Sequence, residues 1–320
     1  MTADTKIRAS IDIGSHSCIL LVAKFETTSE GREILVPKIQ KVEVCRLGED
    51  IYETGKISEK RKEELFAILS SFRAEVHALG GEINAAVMTE AMRRAANGEE
   101  IIEAAERALW VRPRIITGEE EAAYTYRAVT EWHGEGITTI DIGGGSTEFC
   151  TGKKSLSIPV GALFLFKKMG TIPGPEYKPF MKELLKGNPL KPFSKREVYL
   201  VGGTGTALAM VFLNMQTFDY EKLEGFEMSM ADLEATLTRI INLSRELRAA
   251  LPGLGGGRSD VIICGLFWLR TILEKLHAAS FKISTAGLRF GVLYPEGEES
   301  CPKLTKATSN QELEAQNAAE

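Results

Sequence analysis

The stretch IDIGGGSTEF, Ile140 to Phe149, places three consecutive glycines between two acids, Asp141 and Glu148. An apolar, β-branched run that stops at Gly143 and resumes at Thr147 reads as a strand, a tight turn and a second strand. The chain opens on nearly the same pattern, IDIGSHSCIL from Ile11 to Leu20, with its turn at Gly14 and Ser15. The two openings match in architecture more than in identity, and they divide the chain into two α/β halves that start alike.

A glycine turn does more than reverse the chain. Glycine reaches backbone conformations closed to other residues and puts no Cβ between the main chain and a ligand. Successive N–H groups and hydroxyls at Gly143, Gly144, Gly145 and Ser146 therefore suit an oxyanion, and Gly14, Ser15, His16 and Ser17 repeat the arrangement. Facing each other, two such turns would hold a polyanion from both sides. Asp12 and Asp141, at the strand ends, would repel bare phosphate unless a divalent cation such as Mg²⁺ lies between carboxylate and phosphate. A third turn, Gly202-Gly203-Thr204, follows the strand pattern REVYLV. Any one of these turns is also an ordinary hairpin connection. All three together favour phosphate binding.

Strand and helix patterns alternate along the chain, which predicts sheets covered by helices. CILLVAKFE and EILVPKIQKVEVC read as strands. Residues 58–80 predict an amphipathic helix that starts at Ser58 and ends at Gly80, with Leu65, Ile68, Leu69, Phe72, Val76 and Leu79 at helical spacing. INAAVMT and RPRIIT predict strands, and GEEIIEAAERALW a helix. GEEEAAYTYRAVTEW predicts a further helix with Glu119, Glu120 and Glu121 in its first turn, where acids complement the dipole. In the second half TEFCTG, KSLSIPV, REVYLV and FKIST predict strands, and TGTALAMVFLNM a helix. Long helices are predicted over 229–250 and 259–278, and the polar residues 306–320 read as a frayed tail.

Composition narrows the class of protein. A chain of 320 residues exceeds the size at which one core stops growing, so two domains are expected. A net charge of -5 argues against a chain built to coat nucleic acid. No apolar run approaches the ~20 residues of a membrane span, and MTADTKIRAS has no apolar leader segment. The expectation is a cytoplasmic protein with neither nucleic-acid nor membrane partners. The cysteines at 18, 45, 150, 264 and 301 form no Cys-x-x-Cys pair, so neither a zinc site nor a disulfide framework is expected.

Read in order, IDIGSHS, TEAMRRAANG, ITGEEEA, IDIGGGSTE, IPVGA, VGGTGTALA, RSDVIICG and STAGLRFG resemble the exopolyphosphatase/guanosine pentaphosphate phosphatase (Ppx/GppA) family. That family lies within the acetate kinase, sugar kinase, heat-shock chaperone and actin superfamily. The resemblance runs from Asp12 to Gly291 and corresponds to a short form without the extra C-terminal domains of longer members. It implies two actin-like (ribonuclease H-like) domains, each a mixed five-stranded sheet flanked by helices, with a cleft between them. The boundaries expected are 1–125 and 126–305, with the C-terminal helix returning to the first domain.

The resemblance also implies roles. Glu121 matches the glutamate that activates the attacking water, and Asp141 and Glu148 match the acidic pair that binds Mg²⁺ (or Mn²⁺) or orients that water; the strand-end position of Asp12 adds it as a further expected metal ligand. Arg93 matches an arginine that reaches the phosphates, which Gly14 to Ser17, Gly143 to Ser146 and Gly202 to Thr204 cradle. The implied activity is hydrolysis of a terminal phosphate from polyphosphate or guanosine pentaphosphate, by a protein that is often a dimer. Three positions depart from the family pattern: Ile19 and Phe164 stand where basic residues are usual, and Phe290 where glutamate is. They point to a changed grip on long polyanions. Alternative functions are an ATP-dependent kinase or ATPase of the same superfamily, and a weakly active polyphosphate- or nucleotide-binding regulator.

Overall fold

In the computed structural model, residues 6–27, 31, 33–171, 174, 176–255 and 258–295 are described. The chain divides into two units, one built from residues up to Gly134 together with the segment from Ala286, the other from Glu135–Thr285.

In the first unit, β1 (Arg8–Ile13), β2 (Ser17–Thr27) and β3 (Glu33–Val44) form an antiparallel meander. Pro37 is tolerated in β3 because that strand is an edge. The chain then runs through α1 (Gly48–Thr54) and α2 (Glu59–Ala78) to β4 (Glu82–Met88), which pairs parallel with β1. Next come α3 (Glu90–Arg94), α4 (Gly98–Leu109), β5 (Arg114–Ile115) and α5 (Gly118–His133), giving the strand order β3-β2-β1-β4-β5. Ser58 caps α2 by accepting from the Arg61 N–H at 3.4 Å, and Leu65, Leu69, Phe72 and Val76 bury its inner face. Leu79, expected on that stripe, lies past the helix end and is 41% exposed. The strand read from RPRIIT is only two residues long.

The second unit repeats this path. β6 (Thr138–Ile142), β7 (Thr147–Cys150) and β8 (Ser155–Ile158) form the meander. Helices α6 (Ala162–Met169) and α7 (Tyr177–Leu185) precede β9 (Val198–Val201), which pairs parallel with β6. After α8 (Gly202–Phe212) and α9 (Tyr220–Leu223) come β10 (Glu227–Ser229), α10 (Met230–Ile241), α11 (Arg245–Ala249), α12 (Arg258–Leu276) and β11 (Ser280–Ile283). The order β10-β11-β9-β6-β7-β8 carries one strand more than expected, β10, added antiparallel at the edge. α12 is apolar almost all round, and Ile262, Ile263, Leu266, Trp268, Leu269, Ile272 and Leu273 pack into one core with the sheet face that carries Ile140, Ile142, Phe149, Leu156 and Leu200. The Trp268 indole N–H donates to Thr147 Oγ1 at 2.9 Å, which satisfies it inside that core.

Two boundaries correct the sequence reading. The expected domain limit at 125/126 falls inside α5, whereas the units part after Gly134. The helix read over 229–250 is two helices, because Ser244 caps α11 by accepting from the Leu247 N–H at 3.3 Å. After Thr285 the chain re-enters the first unit, where α13 (Leu288–Gly291) packs. Phe290, 1% exposed, sits there with Leu21, Ala23, Leu35 and Ala128. It fills a core rather than lining a ligand surface. The tail read over 306–320 lies outside the described residues.

Candidate active site

The two hairpins close by the same hydrogen bond. Gly14 N–H donates to Ser17 O at 2.9 Å, and Gly143 N–H to Ser146 O at 3.0 Å, so the duplication visible in sequence extends to main-chain geometry. Neither Gly14 nor Gly143 takes a positive φ. What these turns demand is room. In the first, the Cys45 and Arg46 N–H groups bind His16 O at 3.0 and 2.9 Å, and Gly48 N–H binds Ser15 O at 2.8 Å. In the second, the first N–H groups of α6 take the carbonyls: Ala162 donates to Gly143 O, and Leu163 and Phe164 to Gly144 O, at 2.9 to 3.0 Å. With its carbonyls held from behind, each turn presents N–H groups on its other side. Phe164 is thus part of the support for the glycine turn, half-buried against the core.

Gly161 makes that support possible. A Cβ there would stand 2.5 Å from Gly143 O and 2.6 Å from the Gly144 carbonyl. The glycine of IPVGA, outside the expected site, is needed for two backbones to touch.

Asp141 and Glu148 are cross-strand partners on β6 and β7. Like charges directly opposite destabilise a sheet unless a third group compensates. Glu148 is 2% exposed and accepts from Ser157 Oγ at 2.8 Å. Gly202 has a φ of 82°, and a Cβ on it would overlap the Asp141 carboxylate, so that position requires glycine twice over. Thr204, expected to bind phosphate, turns its hydroxyl inward and donates to Ile142 O at 3.1 Å, tying α8 to β6.

Beside Gly203 lies a residue that the motif reading did not single out. The guanidinium of Arg258 would meet a Gly203 Cβ at 3.4 Å. Burial alone pulls its proton affinity down, and among the described residues it makes no ion pair. The nearest acid in sequence, Asp260, is already held by Arg245 through two hydrogen bonds of 2.9 Å. An arginine desolvated without a counter-ion is costly, and an incoming anion supplies the missing charge.

In the first unit the three glutamates of α5 separate. Glu120 forms a capping box with Thr117: its N–H donates to Thr117 Oγ1 at 3.1 Å, and its carboxylate accepts from the Thr117 N–H at 2.8 Å and pairs with Arg114 at 2.8 Å. Glu121 is 8% exposed, and both terminal nitrogens of Arg93 donate to its Oε2 at 3.2 and 3.3 Å. Arg93 also donates to Ile116 O at 2.6 Å and to Glu90 Oε2 at 3.0 Å. Arg93 thus orients the Glu121 carboxylate, a role the sequence had not assigned it. Glu90, buried and bound by both Arg93 and Arg94, completes the group. Asp12 lies on β1 of this unit, opposite Ile19 and next to Val87.

Among the described residues no three His, Cys, Asp or Glu side chains gather as a metal site, and no helix is long and apolar enough to cross a membrane. The Asp141–Glu148 pair nonetheless fits Mg²⁺, which is commonly bound by one or two carboxylates plus substrate phosphates. Cys18 and Cys45, distant in sequence, lie with sulfurs 3.4 Å apart behind the first turn, both fully buried.

A fold of two matching units, each ending its first strand in an acid and a glycine turn, is that of the actin-like phosphotransferases and phosphatases. The model of the Ppx/GppA phosphatase family matches residues 25–299, and the chain belongs to that family. It is 28% identical over 291 residues to a bifunctional 3-dehydroquinate synthase/phosphatase of Fusobacterium nucleatum, covering 84% of this chain and 43% of that one. The chain thus spans less than half the length of that relative. It is 26% identical over 305 residues to exopolyphosphatase 1 of Mycobacterium tuberculosis, covering 88% and 86%. The crystal structure of the Aquifex aeolicus Ppx/GppA family member is similar with a TM-score of 0.72 at 30% identity, covering 90% of this chain and 96% of that one.

Proposed function

We propose that the chain is a phosphoanhydride hydrolase that releases the terminal phosphate of inorganic polyphosphate or of guanosine pentaphosphate, with Mg²⁺ or Mn²⁺. The observation that carries the reading is Arg258, a half-buried guanidinium with no ion pair among the described residues, set against Gly203, whose neighbour Gly202 packs on the Asp141 carboxylate. A site with these charges is incomplete without an anion, and the flanking main chain offers further donors.

Each residue has a role in this reading. Glu121 accepts the proton of the attacking water, as a carboxylate fixed in orientation by Arg93. The N–H groups of Gly144 to Ser146 and of Ser15 to Ser17 donate to phosphate oxygens as charge develops on them, while those of Gly143 and Gly14 hold the hairpins closed. Arg258 binds an equatorial oxygen and neutralises part of that charge. Asp141 and Glu148 would hold the divalent ion, which supplies Lewis-acid neutralisation of the leaving phosphate. Ile19 and Phe164 remove two cations from the family pattern, so short chains or the pentaphosphate nucleotide bind in preference to long polyphosphate.

The experiment measures phosphate released from polyphosphates of graded length, guanosine pentaphosphate and ATP, with and without Mg²⁺ or Mn²⁺. Release from the first two classes that needs the cation and spares ATP is the expected outcome. Phosphate transfer from ATP to an acceptor, with no release from polyphosphate or pentaphosphate, would replace this reading with the kinase. Tight binding without turnover would replace it with the regulator.

A further inference from the structure

The second unit holds a cavity of about 210 Å³ at the N-terminal ends of β9 and β11, bounded by residues 193–198, Glu227 and residues 276–282. β6 and β9 run parallel and their C-terminal ends lead into the glycine turns, so cavity and turns occupy opposite ends of one sheet. The four residues of β9 separate them by ~13 Å. Nothing in the hydrolytic reading uses this space.

Its charges are unevenly compensated. Both acids are engaged: Glu197 pairs with Lys282 at 2.5 Å, and Glu227 accepts from Ser280 Oγ at 2.7 Å. The three cations Lys195, Arg196 and His277 are exposed at the cavity rim. Lys195 and His277 have no charged or hydrogen-bonded side-chain partner among the described residues, and Arg196 reaches only the neutral Gly136 carbonyl, at 3.3 Å. Lys195 and His277 both adopt left-handed backbone, φ 60° and 55°. At His277 this conformation ends α12, with the Ala278 N–H donating to Leu273 O at 3.1 Å, while at Lys195 it is uncommon for a non-glycine residue. The space is below the ~300–1,000 Å³ of pockets for drug-sized ligands, so it suits a small ion rather than a nucleoside.

We propose that this cavity is a second anion site, which takes a small polyvalent oxyanion of the phosphate class, orthophosphate or pyrophosphate. Lys195 and Arg196 donate charge-assisted hydrogen bonds to it, and the His277 imidazole adds a donor. The site stands on its own residues and holds whether or not the glycine turns hydrolyse phosphoanhydrides.

Histidine resonances test it. The chain has four histidines, and His→Gln variants assign the imidazole protons of each. Pyrophosphate, orthophosphate, a nucleoside monophosphate or sodium chloride is added to the full chain with divalent ions chelated. The expected result is a saturable shift of His277 with pyrophosphate, weakened about 100-fold by the double variant Lys195→Gln/Arg196→Gln, two charge-assisted contacts at roughly tenfold each. His16 reports the first glycine turn separately, so loss of one response identifies which reading has failed. Three results would overturn the proposal: no His277 shift at millimolar pyrophosphate, an equal shift with chloride at matched ionic strength, or unchanged binding by the double variant. A nucleoside monophosphate that binds more tightly than pyrophosphate would overturn it too, because the base or sugar rather than the polyvalent anion would then be what the cavity recognises.

Discussion

Replacing Gly161 by alanine puts a methyl group where two backbones meet. The new Cβ would lie 2.5 Å from Gly143 O and 2.6 Å from both C and O of Gly144, whereas real Cβ atoms are essentially never found within 3.0 Å of such atoms. The glycine turn must retreat by at least 0.5 Å, the difference between 3.0 and 2.5 Å, and by 0.9 Å to reach ordinary contact at 3.4 Å. No flexible side chain can absorb the move, because every atom concerned is main chain. Overpacking of this kind costs about 1–3 kcal/mol, and each kcal/mol lowers Tm by about 2–4 °C in a domain of this size. The catalytic effect is larger. Misplacing a positioned donor by about 1 Å can cost on the order of 100-fold, so kcat/KM for phosphate release falls ~10- to 100-fold. Phosphate-release kinetics and a thermal melt measure both quantities. Gly255→Ala is the control, since a Cβ there meets nothing within 4 Å. A Gly161→Ala protein with the parent's Tm and kcat/KM would refute the close approach and, with it, the role given to the turn.

Arg258→Met removes a half-buried cation that has no ion pair among the described residues, so the ligand-free protein keeps or gains thermal stability while phosphoanhydride affinity drops about 10- to 100-fold; a melt destabilised by the change would show that the guanidinium is structural. Glu121→Gln preserves shape and removes the base, lowering kcat by ~10²–10⁴ with little change in Tm; unaltered turnover would remove Glu121 from the mechanism. Burial pushes the Cys264 thiol up to about 12 from the ordinary value of 9.0. The unfolded chain therefore loses this proton from about pH 9 and the folded chain only near 12. Stability falls as pH rises across that interval, by up to about 4 kcal/mol, and Cys264→Ala removes this slope from denaturation curves. An identical alkaline profile in that variant would contradict the assignment. The Cys45 sulfur and burial hold the Cys18 thiol well above its usual range, and both side chains are fully buried, so neither cysteine of the pair reacts with a thiol reagent until the first unit opens; rapid labelling of the native protein would refute this.

The hairpins and the alternation around them were legible because both are local: apolar alternation, a glycine turn and a cap each act within a few residues. Helices α6 and α7 escaped notice. ALFLFKKM, the α6 sequence, continues an apolar run straight out of IPVG and has no side-chain cap to mark its start. Its N-terminal N–H groups are satisfied by Gly143 and Gly144, residues brought there only by the fold. The site divides along the same line. Asp141 and Glu148 are neighbours by strand pairing, which the hairpin itself dictates. Spacing gave no means of choosing among Glu119, Glu120 and Glu121, because burial against Arg93 separates Glu121 from the capping residue Glu120. Arg258 is found by desolvation and Gly161 by contact, and neither leaves a mark in periodicity. Phe290 shows the converse, a departure from the family pattern that belongs to a core.

The return of the chain at Ala286 bears on how the protein is made. The first unit's core includes Ala286, Phe290, Leu293 and Tyr294, and a Cβ at Gly291 would overlap the Tyr124 carbonyl. Emerging from a ribosome N-terminus first, the chain exposes Leu21, Ala23, Leu35 and Ala128 without the residues that cover them. The second unit, continuous from Glu135 to Thr285, can close its core while the first still waits. The unit that begins first is therefore completed last, and a chain arrested near residue 285 would display an apolar surface where a finished one has none.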